Sequence, residues 1–400
     1  MSETQKHTKP NVPNLRFPGF EGEWKTVSLG DLFEIGSSKR IFESQWRNTG
    51  IPFYRTREIV SLINGTPFSS PIFIDENLFK DFIRKYGDIQ AGDMLVTGVG
   101  TIGQMYVVPE TNKFYFKDGN VIWFKHNPSI SSYFIKHLFS TKTIVSQLQN
   151  NASITTVATY TIEGAKKTKA IIPSKSEQDK IASFLNLLDE RISIQSKVIE
   201  DLKKLKAALC ELLYDESEPN SLIGDIIEQI STRNKKGEQF NVLSVSNQNG
   251  FVEQSEQFEG RTVASQDTSN YKIVSLDDFA YNPARINVGS LARLKEIGVG
   301  IVSPMYVCFR CKQGILPDYL ESFFDTDYFY FEMEKRLEGS VRMCLSFEGL
   351  CNIPLFIPNL KEQKTVVSRI QVLKDKIRLE GLISKYLSIQ KQVLLSKLVI

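Results

Sequence analysis

The 400-residue chain is long enough for two or three domains with sizeable cores, and its 41 % hydrophobic and 24 % charged residues exclude disordered and fibrous classes. A formal net charge of +3, from 49 basic and 46 acidic side chains, neither demands nor excludes nucleic acid, so a DNA-binding face would have to come from local clustering of Arg and Lys. No apolar run approaches the roughly 20 residues of a membrane span, and the polar start MSETQKHTKP lacks the apolar stretch of a secretory signal, so the expectation is a cytoplasmic protein with no membrane partner.

Residues 1–13 read as a mobile tail, with order beginning at PNLRFPGFEGEW. From Val27, VSLGDLFEIG reads as a short amphipathic element ending at Gly36, and SLIGDIIEQI from Ser221 is its counterpart in the second half. Both run into basic, polar stretches, SSKRIFESQWRN and STRNKKGEQF. Strand-like segments follow, IPFYRTREIV from Ile51 and FNVLSVSNQNG from Phe240, rich in aromatic and β-branched residues and punctuated by Gly, Asn and Pro. The five cysteines, Cys210, Cys308, Cys311, Cys344 and Cys351, show no disulfide framework and suit a reducing compartment. Cys308 and Cys311 form a CxxC, but the wide Cys344/Cys351 spacing argues against a zinc site.

Two stretches organise the chain. IPSKSEQ from Ile172 and IPNLKEQ from Ile357 lie 185 residues apart, and each opens a long heptad-patterned segment. Steps of four and three carry the first seam through Ile181, Leu185, Leu188, Ile192, Gln195, Ile199, Leu202, Lys206, Leu209 and Leu213. The second runs through Val366, Ile370, Leu373, Ile377, Glu380, Ser384, Leu387, Lys391, Leu394 and Leu398. A 3.5-residue apolar period over about five heptads is what supercoiled helices need to keep one stripe facing a partner. The polar interruptions coincide, Gln195 with Glu380 and Lys206 with Lys391. The same offset relates Asp93 to Asp278, Phe124 to Phe309 and Glu163-Gly164 to Glu348-Gly349, so the repeat extends beyond the helices.

The expected organisation is therefore a tail (1–13), a strand-rich globular domain (14–171), a helical region (172–214), a linker (215–220), a second globular domain (221–356) and a second helical region (357–400). The fold class is α+β. The linker reaches only about 20 Å at 3.3–3.6 Å per residue, and compact domains return their chain ends near one another. Both facts predict antiparallel pairing of the helices as a coiled coil with pseudo-two-fold symmetry. Helices of about 37 residues, roughly 55 Å long, would then act as a ruler between two similar surfaces.

Catalytic constellations are nearly absent. His7, His126 and His137 are unclustered, and there is no GxxxxGK[ST] loop. GVGTIG, Gly98 to Gly103, matches GxGxxG, but the following QMYVVPE reads as a strand where a dinucleotide site needs a helix N-terminus. Tyr281-Asn282-Pro283-Ala284 lacks the second proline and the aromatic of the Asn-Pro-Pro-aromatic signature of amino-group methyltransferases. The chain is expected to have no catalytic residues and to hold no metal or cofactor. What remains is a recognition inventory: Lys39, Arg40, Arg47, Arg55, Thr56, Arg57, Thr97, Thr101 and Gln104 in the first half, and Arg233, Lys235, Lys236, Ser246, Asn247, Asn249, Arg285, Asn287 and Arg342 in the second. Arg with Asn or Gln reads guanine and adenine edges, and Lys, Ser and Thr serve phosphates.

LRFPGFEGEW, IPSKSEQ, IPNLKEQ, GDMLVTGVGTIG, YNPARINVGS and GSVRMCLSFEGL together resemble the specificity subunit of type I restriction-modification systems, over nearly the whole chain. The resemblance implies that each globular unit is a target recognition domain reading half of an interrupted double-stranded DNA sequence. It also implies that the helices set the gap and dock two modification subunits, which carry S-adenosylmethionine-dependent adenine methylation. Two restriction subunits would add ATP- and Mg-dependent translocation and cleavage. Glu380 and Ser384 depart from an apolar seam, which would loosen the second helix or mark a docking surface. The competing readings are a nucleotide-binding enzyme built on GVGTIG and a coiled-coil protein scaffold; a scaffold would show no salt-dependent DNA affinity.

Overall fold

The computed structural model describes residues 10–109, 113–150, 159–215, 218–247, 249–254, 267–340 and 342–400. The proposed tail falls almost wholly outside them, as do linker residues 216 and 217. Contacts divide the chain into two compact units, one of residues 1–194 with 384–400 and one of residues 195–383. Each therefore combines a globular part with portions of both long helices.

In the first unit, strand β1 (Lys25–Ser28) leads into the one-turn helix α1 (Leu29–Leu32) and strand β2 (Ile35–Gly36). Strands β3 (Trp46–Arg47) and β4 (Ile51–Tyr54), helix α2 (Thr56–Asn64), strand β5 (Ile72–Ile74) and helix α3 (Glu76–Tyr86) follow. Next come strands β6 (Met94–Thr97), β7 (Met105–Val107), β8 (Tyr115–Phe116) and β9 (Val121–Phe124), helices α4 (Ser132–Leu138), α5 (Lys142–Asn150) and α6 (Ile162–Lys167), and strand β10 (Lys169–Ile172). They form two four-stranded sheets, β2-β9-β6-β7 and β3-β5-β4-β8, with a separate β1-β10 pair.

VSLGDLFEIG is thus a strand, a single helical turn and a strand, not one amphipathic element, because its ends pair with distant strands. IPFYRTREIV is strand only as far as Tyr54. Glu58 accepts from the Arg55 backbone N–H at 2.9 Å, a capping interaction that starts α2. β-Branched composition alone did not reveal that switch.

The first long helix, α7, runs Lys175–Asp215. In the second unit, β11 (Ser221–Leu222), α8 (Ile223–Ile226) and β12 (Ile227–Ile230) repeat the strand-turn-strand opening. Strands β13 (Val242–Ser246), β14 (Gly250–Glu253), β15 (Lys272–Ser275), β16 (Phe279–Tyr281), β17 (Leu291–Arg293), β18 (Val299–Val302) and β19 (Val307–Cys311) precede helices α9 (Pro317–Phe323), α10 (Asp327–Glu334) and α11 (Phe347–Cys351). Strand β20 (Pro354–Leu355) and the second long helix, α12 (Leu360–Leu398), complete the chain.

The sheet β12-β19-β16-β17 has the order of β2-β9-β6-β7. The other sheets share only a core: β5-β4-β8 matches β14-β13-β18, each with one parallel pair, but β3 is added beside β5 in one and β15 beside β18 in the other. Gly30 and Gly224 are counterparts offset by 194 residues, so a length difference separates them from the 185-residue register. A Cβ at Gly30 would lie 2.9 Å from Lys166 Cβ, and one at Gly224 2.9 Å from Cys351 Cβ, which explains why both turns require glycine.

Within each unit the long helices run antiparallel. In the first, Ile181 and Leu185 share a core with Leu395 and Leu398, and Lys391 pairs with Asp189. In the second, Gln195 Nε2 donates to Glu380 Oε2 at 2.5 Å, while Cys210 and Tyr214 share a core with Val366 and Ile370. Every residue of both expected seams is buried or half-buried. Glu380 does not loosen its helix: it is 9 % exposed, and Lys376 and Gln195 hold its carboxyl below the ordinary carboxylate range.

The shared EQ of IPSKSEQ and IPNLKEQ has a structural basis. Gln178 Oε1 accepts from the Ser131 N–H at 2.9 Å and its Nε2 donates to Pro173 O at 3.0 Å. Gln363 repeats this with Leu316 N–H and Pro358 O, both at 2.9 Å, and adds Gly314 O at 3.0 Å. Each buried amide ties the start of a long helix to the helical layer of the globular part. The glutamates diverge: Glu177 is buried against Arg16 at 2.8 Å, whereas Glu362 is exposed.

Candidate nucleic-acid interface

In the first unit, two segments converge at the edge of the sheets: the start of α2, which follows β4, and the loop joining β6 to β7. They line a shallow hollow of about 470 Å³ containing Thr56, Arg57, Val60, Val99, Gly100, Thr101 and Asn120. Thr97 does not face solvent. It is fully buried, its hydroxyl donates to Thr101 O and accepts from Gln104 N–H at 3.1 Å, and so it shapes the loop. The Gln104 side-chain oxygen is buried with no hydrogen-bond partner among the described residues.

Glu58, 2 % exposed, gathers both nearby arginines: Arg55 Nη2 donates at 2.6 Å and Arg57 Nε at 2.6 Å. Burial, the largest single influence, raises the carboxyl's pKa, but the hydrogen bonds from Arg55 and Arg57 outweigh it and leave the value lowered. Arg55 also lies 5.7 Å from the Trp46 ring, so it belongs to the framework, whereas Arg57 remains 51 % exposed. Lys39, Arg40 and Arg47 do not line this hollow. Lys39 sits 5.0 Å over the Tyr86 ring, Arg40 pairs with Asp118 at 3.1 Å, and Arg47 donates to Ser44 O and Trp46 O.

The equivalent edge of the second unit is built from the β13–β14 hairpin tip and the Asn282–Ser290 loop. A cleft of about 510 Å³ holds Ser246, Asn247 and Arg285 together with Gln254, Tyr271, Asn282 and Tyr306. Asn249 lines a neighbouring cleft of about 500 Å³ with Asn247, Lys295 and Lys374. Arg233 and Lys235 share a separate hollow, and Arg233 donates to Asn270 Oδ1 at 3.1 Å. Lys236, Asn287 and Arg342 are exposed. Asn120, Tyr271 and Tyr306 reach these edges from other strands and loops, and no local sequence pattern marks them, whereas Asn282 opens the same loop as Arg285.

The GVGTIG loop is the connection of an antiparallel pair, with Met94 opposite Val107, and leads into a strand. The loop does not open a helix of its own, as a dinucleotide fingerprint requires; the start of α2, which shares its hollow, belongs to a different segment. Cys308 faces the core containing Leu243 and Val245, whereas Cys311 packs on the other core, as a three-residue offset along one strand dictates. No group of three or more His, Cys, Asp or Glu among the described residues is arranged to hold a metal, and no helix among them is long and apolar enough to cross a membrane.

Residues 21–204 match the model of the type I restriction modification DNA specificity domain. A putative type I restriction enzyme specificity subunit of Haemophilus influenzae is 30 % identical over 164 residues, 40 % of this chain and 39 % of that protein. The match thus spans about two fifths of the relative's length. The fold resembles the crystal structure of the type I S subunit from M. genitalium, with a TM-score of 0.58 and 16 % identity over 97 % of this chain and 99 % of the other. It also resembles a chain from a structure addressing assembly and conformational transition of the type I system, with a TM-score of 0.54 and 15 % identity over 94 % and 97 %. Residues 21–204 thus resemble the type I restriction modification DNA specificity domain, and the chain has the fold of the type I S subunits it matches.

Proposed function

We propose that this chain is the DNA-reading subunit of a type I restriction-modification complex, each globular part engaging one half of a bipartite target. The observation that carries the reading is the convergence, at equivalent sheet edges, of unlike polar sets: Thr56, Arg57, Thr101 and Asn120 in one unit, and Ser246, Asn247, Asn282 and Arg285 in the other. A common framework with different donor sets is what two readers of different base sequences need. Methylation with S-adenosylmethionine, and ATP- and Mg-dependent translocation and cleavage, belong in this reading to the partner subunits. The test is to exchange residues 221–356 for those of another family member and map methylated adenines in cells carrying the modification subunit. One half of the modified sequence should change and the other persist; a change in both halves would overturn the division of labour.

The long helices also carry apolar side chains off the seam. Leu187, Ile194, Val198, Leu205 and Leu212 on α7 are all at least 38 % exposed, and Val372, Leu379 and Ile383 occupy the positions on α12 equivalent to the first three. Exposed apolar stripes are kept where a partner covers them, and matched stripes on two helices fit two copies of one partner, the modification subunit. Replacing Ile194 and Leu205 together by glutamate is expected to abolish co-purification of the modification subunit while leaving the circular dichroism spectrum unchanged. Undiminished co-purification would remove these stripes from the interface.

A further inference from the structure

We propose that Arg285 reads a guanine in the half-site engaged by the second unit, and so fixes the identity of one base pair. The inference rests on the DNA-reading function proposed above.

An arginine that discriminates a base must be free of carboxylates and held on a rigid base. Its planar fork then matches guanine O6 and N7 with little ordering cost on binding. Among the described residues, four other arginines of this globular part fail the first condition or are occupied. Arg293 is buried among Asp277, Asp318 and Glu321, Arg310 is bound to Asp278, Arg336 to Glu332, and Arg233 to Asn270. Arg285 is exposed and has no ion pair or side-chain hydrogen bond with any described residue. Arg342 is also exposed, but it does not line the cleft that holds Ser246 and Asn247.

The backbone beneath Arg285 meets the second condition. Its N–H donates to Asn282 O at 2.9 Å, and its carbonyl accepts from Ser290 N–H at 3.1 Å and Val288 N–H at 3.2 Å. The Asn282 side chain accepts from Ala284 N–H at 3.1 Å, and the adjoining Ile286 is 1 % exposed. The loop is thus closed on itself and anchored in the core, and the guanidinium stands at a cleft whose other wall carries Asn247. In the first unit the 185-residue offset places Gly100 at this position, and the nearby Arg55 and Arg57 share Glu58. The discrimination therefore belongs to one half-site only.

The test expresses the full chain with its modification subunit and measures methylation across a plasmid library randomised over both half-sites. Wild type should show a G·C requirement that Arg285→Ala relaxes at one position of one half-site, lowering preference there roughly 10- to 100-fold. Arg285→Lys should retain part of it. Unchanged thermal stability and co-purification identify the loss as recognition, since the side chain contributes no internal bond. An unchanged sequence profile for Arg285→Ala, a uniform loss over all sequences, or relaxation at an A·T pair would each overturn the assignment while leaving DNA reading intact. A wild-type complex with no sequence preference would overturn the DNA-reading function itself, and the assignment with it.

Discussion

Replacing Gln363 by alanine is expected to destabilise the second unit by about 3 kcal/mol, because three groups that its amide now satisfies lose their partner. Leu316 N–H would be left without its acceptor, and Gly314 O and Pro358 O without their donor, around a side chain that is fully buried. At roughly 2–4 °C per kcal/mol for a unit of this size, the first thermal transition should fall by roughly 6–12 °C. Gln178→Ala should act in the same way on the first unit, through Ser131 N–H and Pro173 O. The neighbouring Glu362→Ala should move the midpoint by less than about 0.5 kcal/mol equivalent, since that side chain is exposed. Differential scanning calorimetry of the three variants checks the contrast; equal effects of Gln363→Ala and Glu362→Ala would refute it.

Acidification should weaken the first unit through His137. The ring is 2 % exposed, with Nε2 at 2.8 Å from Asn186 Oδ1 and Nδ1 at 3.9 Å from Asp189. Burial lowers its pKa to about 4, against the opposing influence of Asn186 and Asp189, with Lys391 and Lys136 also disfavouring the charge. The unfolded chain takes up a proton below the ordinary value of about 6.5, whereas the folded chain resists until about 4. The unfolded state therefore binds more protons in this window, and stability falls as pH drops through it, by about 1.4 kcal/mol per pH unit at most. Urea unfolding of wild type and His137→Gln between pH 7 and pH 5, above the carboxylate range, should give a steeper pH slope for wild type. Parallel slopes would mean that the ring takes up its proton equally in the folded and unfolded chain, and so is not shifted by burial.

Only part of this was legible in the sequence. The glutamate of the repeated EQ could not be interpreted without coordinates: Glu177 and Glu362 are identical in pattern, yet one is buried on Arg16 and the other is solvated. The recognition inventory was mixed for the same reason. Arg57, Thr101, Asn247 and Arg285 do line the clefts, but Thr97 is internal and Arg55 is tied to Glu58. Residue type alone does not tell a free arginine from one already neutralised, because the neutralising carboxylate is set by local geometry.

By itself the sequence determined the duplication, its 185-residue register and both helical seams down to Gln195 opposite Glu380. Helical periodicity is a local property, and an apolar stripe repeated every three to four residues must be covered whatever else the chain does. Tertiary structure alone decided which strand flanks each second sheet, where β4 turns into α2, and which polar side chains line the clefts at the sheet edges. Those outcomes depend on strand pairing and ion pairing between residues tens of positions apart, where the competing arrangements have similar local preferences and only the assembled core selects among them.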